Sequence, residues 1–131
     1  MKSSIDVVCS IIRDQQNRIL CVQRGQGSLE GKWEFAGGKV EEGETPQQAC
    51  ERELLEELEI TVRAGEVVFT NEVQIQDKAY NLLFIEAEIL SGEITLTEHS
   101  EARWVDKDRL NELDWLEGDL PMVHLLQKTT T

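Results

Sequence analysis

Residues 38–60 read GKVEEGETPQQACERELLEELEI, and this stretch is the most informative part of the chain. Between Glu41 and Glu59 eight carboxylates accompany a single basic side chain, Arg52. Like charges at helical neighbour spacing destabilise a helix by about 0.2–0.5 kcal/mol per pair. A stretch that accumulates such pairs favours a bound cation, and ligands that are all oxygen suit Mg²⁺ or Mn²⁺, which in turn hold phosphates.

A well-marked helix is predicted inside this stretch. Thr45 can cap the helix, Pro46 fits its first position, and Gln48 completes a capping box with Thr45. At about 100° per residue, Leu54 and Leu58 share a stripe that faces the core together with Cys50. The opposite side presents one charged cluster, formed by Arg52, Glu53, Glu56 and Glu57. One helix therefore anchors itself through apolar side chains while it presents carboxylates as a group.

Apolar periodicity on both sides of this helix predicts strands. Residues 5–13 alternate with apolar residues on both faces, which indicates a strand buried on both sides. Further strands are predicted at 18–23, 33–35, 67–74, 80–90, 94–96 and 103–105, and helices at 108–113 and 121–127. This order of elements predicts an α/β fold in which a mixed sheet lies between helices, an α/β/α sandwich.

Length and composition narrow the class of protein. With 131 residues, the chain is expected to form one domain over 1–131. Its formal net charge of −13 argues against a nucleic acid polymer as partner, because such binding needs a basic surface. We expect no membrane partner, since no apolar run approaches the ~20 residues of a membrane span and no signal-peptide pattern follows Met1.

The cysteines point to a reducing compartment. Cys9, Cys21 and Cys50 are odd in number, form no CxxC pair and lie in apolar segments. Buried, reduced thiols are the expected state, and a cytoplasmic location is expected with it.

The spacing within residues 38–60 resembles the signature of the Nudix family, the Nudix box. Gly38 is followed after five residues by Glu44, and after seven more by Arg52-Glu53-Leu54, Glu56-Glu57 and finally Ile60. One position departs, since Glu59 stands where the family has glycine. Glycine there suits a left-handed residue that closes the helix, so we expect this helix to end differently. The departure affects loop geometry and stability and touches no expected metal ligand.

The resemblance implies a set of metal-site residues. Glu56 and Glu57 would hold the metal, and Glu53 would either bind it or orient and deprotonate water. The carbonyl of Gly37 would be a further ligand, and Gly37 and Gly38, which lack Cβ, would let the backbone approach metal and phosphate. Glu98 would supply a distal acid, with Glu101 as its competitor. Arg52 and Glu44 would pin the loop to the helix.

Residues 33–39, WEFAGGK, resemble the MutT-type subgroup of the family, which cleaves nucleoside triphosphates. By that resemblance Arg24 would contact the substrate phosphates, and Lys39 is a weaker phosphate candidate. Asp119 would either read the nucleobase edge or cap the final helix. His99 and His124 have no partners at ligand spacing and are expected to be incidental.

The function that this resemblance implies is Mg²⁺- or Mn²⁺-dependent hydrolysis of a nucleoside triphosphate to the monophosphate and pyrophosphate. Relatives of this type clear the nucleotide pool of oxidised purines such as 8-oxo-dGTP, which protects DNA, or act on CTP and modified pyrimidine triphosphates, and both substrates stay open. The alternatives are another Nudix substrate, such as ADP-ribose, a diadenosine polyphosphate or coenzyme A, and a non-catalytic nucleotide-binding regulator. The protein is expected to be a monomer or a homodimer.

Overall fold

The structure, a computed structural model, describes residues 4–128. The strands are Ser4–Ile12 (β1), Ile19–Arg24 (β2), Trp33–Glu34 (β3), Gly37–Lys39 (β4), Thr61–Ile75 (β5), Lys78–Ser91 (β6) and His99–Val105 (β7). The α-helices are Pro46–Leu58 (α1) and Leu120–Lys128 (α2), and short 3₁₀ helices cover Lys107–Glu112 and Glu117–Asp119. Across residues 4–128, no helix is both long enough and apolar enough to span a membrane.

The strands form a four-stranded sheet in the order β4-β1-β6-β5 and a three-stranded sheet in the order β3-β2-β7. The larger sheet is mixed, because β1 pairs with β6 in parallel and with β4 in antiparallel fashion. Strand β1 is buried on both faces, as its pattern predicts. Val8 and Ile12 pack in the cluster that contains the apolar face of α1, and Cys9 and Ile11 pack in the cluster that contains α2. The predicted α/β fold with helices on both faces is confirmed.

Helix α1 begins as the sequence predicts. The backbone N–H of Gln48 donates to Thr45 Oγ1 at 3.1 Å, and the N–H of Thr45 donates to Gln48 Oε1 at 2.9 Å. The predicted stripe of Cys50, Leu54 and Leu58 is buried, and Ala49 is buried as well. The three cysteines are buried free thiols, as expected.

The end of α1 corrects the prediction made for Glu59. Its backbone is left-handed, with φ 59° and ψ 33°, and its N–H donates to the carbonyl of Leu55 at 3.1 Å. The helix therefore closes as it would with glycine, and the expectation of a different ending is wrong. A non-glycine residue pays for this conformation with about 1–2 kcal/mol, which the contacts around the helix end must outweigh.

The strand predicted at 94–96 is also wrong, because no strand is present between Ser91 and His99. This segment docks instead on the C-terminal end of α1, whose last carbonyls lack partners within the helix. The N–H of Thr95 donates to the carbonyl of Leu58 at 2.9 Å, and the hydroxyl of Thr97 donates to the carbonyl of Glu57 at 2.9 Å. The chain that leads to Glu98 is thus tied to the helix that carries Glu57.

Candidate active site

The two glycines of β4 lie in tight contact with their neighbours. A Cβ built on Gly37 would lie 1.9 Å from the carbonyl oxygen of Val8, and one on Gly38 would lie 2.4 Å from Cδ of Glu53. Real Cβ contacts are essentially never this short. Gly37 therefore requires glycine, because its neighbour is backbone, whereas a side chain at Gly38 would displace the end of the Glu53 side chain. The close neighbour is the main chain of β1 at Gly37 and the Glu53 carboxylate at Gly38. The close approach sets the main chain of β4 directly against that carboxylate.

Arg52 organises the charges around this contact. It binds Glu44 through two bonds, from Nε to Oε2 at 2.6 Å and from Nη2 to Oε1 at 3.0 Å. Its Nη1 donates to Glu53 Oε2 at 3.1 Å, and its Nη2 also donates to the carbonyl of Lys39 at 3.0 Å. The hydrogen bond from Arg52 lowers the pKa of Glu44, and Glu44 in turn raises the pKa of Arg52. One guanidinium therefore joins the loop, β4 and α1.

Glu57 is the most strongly perturbed carboxyl of the site. Burial is the largest cause that raises its pKa. A hydrogen bond to Glu53 and the charges of Glu53, Glu34 and Glu98 raise the pKa further. Within residues 4–128, Glu57 Oε1 is buried and has no hydrogen-bond partner. A buried carboxylate oxygen without a donor is costly. The charges of three acidic side chains, Glu53, Glu34 and Glu98, thus act on the buried carboxyl of Glu57.

Glu56 is not brought into this group. Its side chain is 60% exposed and lies 3.4 Å from Nη1 of Arg52. Among the residues that the structure describes, no three Asp, Glu, His or Cys side chains stand at the spacing that holds a metal ion. The donor set nonetheless fits Mg²⁺ or Mn²⁺, since it is all oxygen and the Glu57 oxygen lacks a partner.

Glu98 precedes β7 and acts on Glu57 through its charge. Its backbone carbonyl lies close to Gly25, where an added Cβ would come within 2.7 Å of the oxygen. Its competitor Glu101 is engaged elsewhere, with Oε2 at 2.9 Å from Nη2 of Arg103. Of the two acids, Glu98 is the one that the fold brings towards Glu57.

Sequence reasoning missed Glu34, which contacts Arg24 and His99 and acts on both Glu57 and Asp119. One of its oxygens accepts from Arg24 Nε at 3.2 Å, and the other lies 3.0 Å from His99 Nε2. The charge of Glu34 raises the pKa of both Glu57 and Asp119. The available signal was the alternation along residues 33–35, because the neighbours on both sides of Glu34 are buried apolar residues.

His99 is not incidental, contrary to expectation. Its side chain is 5% exposed and pairs with Glu34. Its Nδ1 is buried without a hydrogen-bond partner among residues 4–128. Arg24 and His99 therefore hold Glu34 from two sides, and Arg24 reaches the site as part of this group.

Asp119 is buried beside β3. Its side chain accepts from the N–H of Phe35 at 3.1 Å and is 3% exposed. Burial raises the pKa of Asp119 to about 7, although the Phe35 N–H acts in the opposite direction. The carboxylate is thus bound to the backbone of Phe35, directly after β3, rather than turned to the start of α2. Lys39, the other substrate candidate, is exposed on β4.

Comparison with known proteins gives consistent matches over nearly the whole chain. A family profile described as NUDIX domain matches residues 4–126. The CTP pyrophosphohydrolase of Escherichia coli (strain K12) is 33% identical over 120 residues, which cover 91% of this chain and 88% of that protein. The 8-oxo-dGTP diphosphatase of the same strain is 32% identical over 125 residues, which cover 95% and 97%.

A solved structure supports the fold independently. The crystal structure of a MutT protein from Methanosarcina mazei Go1 matches with a TM-score of 0.85 at 22% sequence identity. The match covers 97% of this chain and 95% of that one. At this identity the likeness concerns the fold alone.

Proposed function

Because this chain belongs to the Nudix family of hydrolases, we propose that it hydrolyses a nucleoside or deoxynucleoside triphosphate to the monophosphate and pyrophosphate with Mg²⁺ or Mn²⁺. One observation carries the proposal above the others. Glu57 is buried with an unpartnered oxygen and acts on Glu53, Glu34 and Glu98, which is the arrangement a divalent cation relieves.

In the proposed site the cation is held by Glu53, Glu56, Glu57, Glu98 and the carbonyl of Gly37. When bound, the cation neutralises phosphate charge and lowers the pKa of its water. Arg52 ties β4 to α1 through the carbonyl of Lys39 and is itself held by Glu44, which supports a site built from both elements. Glu56 joins the others by leaving Arg52, a small change for an exposed side chain whose ion pair contributes little.

The proposed reaction displaces the monophosphate from the β-phosphorus. The oxygen of water bonds to the β-phosphorus, and the bond from that phosphorus to the α,β-bridging oxygen breaks. The water gives up its proton to a carboxylate of the site, for which Glu53 is the candidate, and the bridging oxygen leaves with the monophosphate. Attack in line with the leaving oxygen is the geometry of phosphoryl transfer in general.

Substrate selection is proposed to rest on Arg24 and Asp119. Arg24 offers a permanent charge and forked donors to the phosphates once it leaves Glu34, with Lys39 as a second, exposed candidate. Asp119 accepts from an exocyclic amine when ionised and donates when protonated. Asp119 therefore suits the amino group of cytosine or of an oxidised guanine, and both CTP-type and 8-oxo-dGTP-type substrates are compatible with it. The buried free thiols favour a reducing compartment, and we propose the cytoplasm.

The test is turnover over a panel of nucleotides with the products identified in ¹⁸O-labelled water. The panel contains CTP, dCTP, 8-oxo-dGTP, dGTP, ADP-ribose and a diadenosine polyphosphate. We expect a triphosphate to be preferred, activity to be lost in chelator, and the label to enter pyrophosphate. Release of orthophosphate with a diphosphate contradicts attack at the β-phosphorus. Preference for ADP-ribose or the dinucleotide assigns another Nudix class, and binding without turnover assigns a regulator.

A further inference from the structure

The peptide group between Gly118 and Asp119 is bound at both ends. Its carbonyl accepts from Asn71 Nδ2 at 3.0 Å, and its N–H donates to the carbonyl of Leu116 at 3.0 Å. The rest of this short segment is attached to β3, because the N–H of Leu116 donates to the carbonyl of Trp33 at 2.9 Å. The orientation of this peptide plane is therefore fixed.

That orientation contributes to where the Asp119 side chain points. The peptide plane fixes the N–Cα bond of Asp119, and the 3₁₀ conformation of its backbone then sets the Cα–Cβ bond, from which the side chain reaches the N–H of Phe35. Asn71 lies on β5, in the hairpin that β5 forms with β6. Its side-chain amide is the hydrogen bond by which that hairpin holds the peptide.

The hairpin also contacts the segment directly. A Cβ on Gly118 would lie 2.8 Å from Cδ1 of Leu82 and 3.4 Å from Cγ1 of Val73. Leu82 belongs to β6, where it pairs with Asn71, and Val73 lies two positions after Asn71 on β5. The segment 116–119 is thus clamped between β3 and the hairpin, and the polar part of the clamp on the hairpin side is Asn71.

We propose that Asn71 is a positioning residue for base selection, which acts on the nucleobase through the Gly118–Asp119 peptide. The inference rests on the proposed function, in which Asp119 reads the base. A carboxylate that discriminates by a hydrogen bond must be held in direction as well as in position. Loss of the Asn71 amide leaves the Gly118 carbonyl without its donor and lets the peptide rotate.

The experiment compares Asn71→Leu, which removes the donor at similar volume, and Asn71→Asp, which keeps the shape but offers only acceptors. Asn81→Leu is the matched control, because Asn81 lies opposite Glu72 on the neighbouring strand. Its amide donates to Ser4 Oγ at 2.8 Å and to Asp6 Oδ1 at 3.1 Å, away from the segment 116–119. Each variant is assayed on the nucleotide panel together with its melting temperature.

We expect both Asn71 variants to reduce kcat/KM for the preferred nucleotide by ~10-fold or more and to change kcat/KM for poor substrates by less than ~3-fold. The reason is that only the preferred nucleotide makes the hydrogen bond that the variants weaken. The Asn81 variant keeps the ranking. In the Asp119→Ala background, Asn71→Leu changes the ranking no further, since the two residues act as one unit.

Two outcomes overturn the inference. If Asn71→Leu lowers the melting temperature but keeps the ranking, Asn71 is a packing residue only. If the effect of Asn71→Leu on selectivity adds to the effect of Asp119→Ala, Asn71 acts by another route.

If Asp119→Ala also leaves the order of preferred nucleotides unchanged, Asp119 does not read the base. This result identifies a failure of the proposed function and not of the Asn71 contact alone. If the wild type turns over no nucleotide, the same comparison is made on calorimetric binding of CMP and 8-oxo-dGMP, where equal losses for both overturn it.

Discussion

The Glu53 carboxylate fills the space that a side chain on Gly38 would occupy, with its Cδ 2.4 Å from the position of a Cβ. We therefore expect Gly38→Ala to displace Glu53 from Arg52 and to reduce kcat/KM by ~10²-fold or more, as loss of a catalytic or metal-holding group does. The measurement is steady-state turnover with a Mg²⁺ titration. The matched control is Gly65→Ala, where a Cβ would meet its nearest atom, the carbonyl oxygen of Glu86, at an ordinary 3.4 Å. Near-normal activity of Gly38→Ala would show that Glu53 does not need this position.

Glu57 is expected to destabilise the metal-free protein and to be required for turnover. Its buried carboxyl lacks a partner on Oε1 and is opposed by neighbouring charges, so Glu57→Gln removes repulsion from the metal-free protein. We predict a higher melting temperature without metal and a loss of turnover of at least ~10²-fold. Glu53→Gln is expected to lose turnover equally. Glu51→Gln is the control, because Glu51 is on the same helix but accepts from the N–H of Ala64 at 3.0 Å. If Glu57→Gln and Glu53→Gln both keep activity within a few-fold, the metal site lies elsewhere.

Metal binding should be linked to a proton on Glu57. Burial and the neighbouring carboxylates raise the pKa of this group, so a proton on Glu57 competes with the cation. A cation displaces that proton, so Mg²⁺ affinity is expected to rise with pH, and calorimetry in buffers of different ionisation enthalpy should detect proton release. Thermal stabilisation by Mg²⁺ should follow the same trend, since a ligand that binds only the folded state stabilises it by mass action. Affinity that is independent of pH would remove Glu57 from the ligand set.

The parts of this site that lie on one helix were open to prediction from the sequence, and the parts that meet across strands were not. Glu53 and Glu57 are four positions apart on α1, so helical geometry brings them together whatever the rest of the fold does. Glu34 and His99 meet because β3 and β7 both pair with β2. A single sequence does not specify that pairing, and His99 therefore looked incidental.

The two errors at the C-terminal end of α1 have a related cause. Residues 94–96 have the composition of a strand, but the backbone of Thr95 finds a partner in the C-terminal end of α1 instead of a strand. Glu59 has no glycine-like freedom, yet the same end of the helix holds it in a left-handed conformation. In both places the free carbonyls at the end of α1 supply hydrogen bonds that outweigh the local preference, and propensities do not include these bonds.

Glu59 is a site where one substitution should stabilise the protein without changing its activity. Glycine adopts φ near 59° without the steric penalty, so Glu59→Gly is expected to stabilise the folded state by about 1 kcal/mol. Urea unfolding measures the gain, and turnover should stay within two-fold because the residue touches no proposed ligand. Glu59→Ala separates backbone strain from charge, since it removes the carboxylate and keeps a Cβ. If both variants stabilise equally, charge repulsion and not strain is the cause.

Asp119 makes a testable contribution to the pH dependence of stability. In the folded protein the pKa of Asp119 is raised to about 7 from the ordinary value of 3.8, mainly by burial. Between these two values the folded state binds a proton that the unfolded state has released, so its stability falls as pH rises. The contribution is fully present below the unfolded pKa and is lost as pH passes through the folded pKa, with a limiting slope of ~1.4 kcal/mol per pH unit for one proton.

Asp119→Asn isolates this contribution, because the amide keeps an acceptor for the N–H of Phe35 and does not titrate. Urea unfolding of both proteins at pH 5, 6, 7 and 8 should show the wild type losing stability relative to the variant as pH rises. Carboxyls whose pKa is lowered, such as Asp14 and Glu44, contribute equally to both curves and cancel in the difference. Parallel curves would mean that Asp119 is ionised in the folded protein throughout this range. In that case it can only accept a hydrogen bond from the base, and substrates that need a donor at this position are excluded.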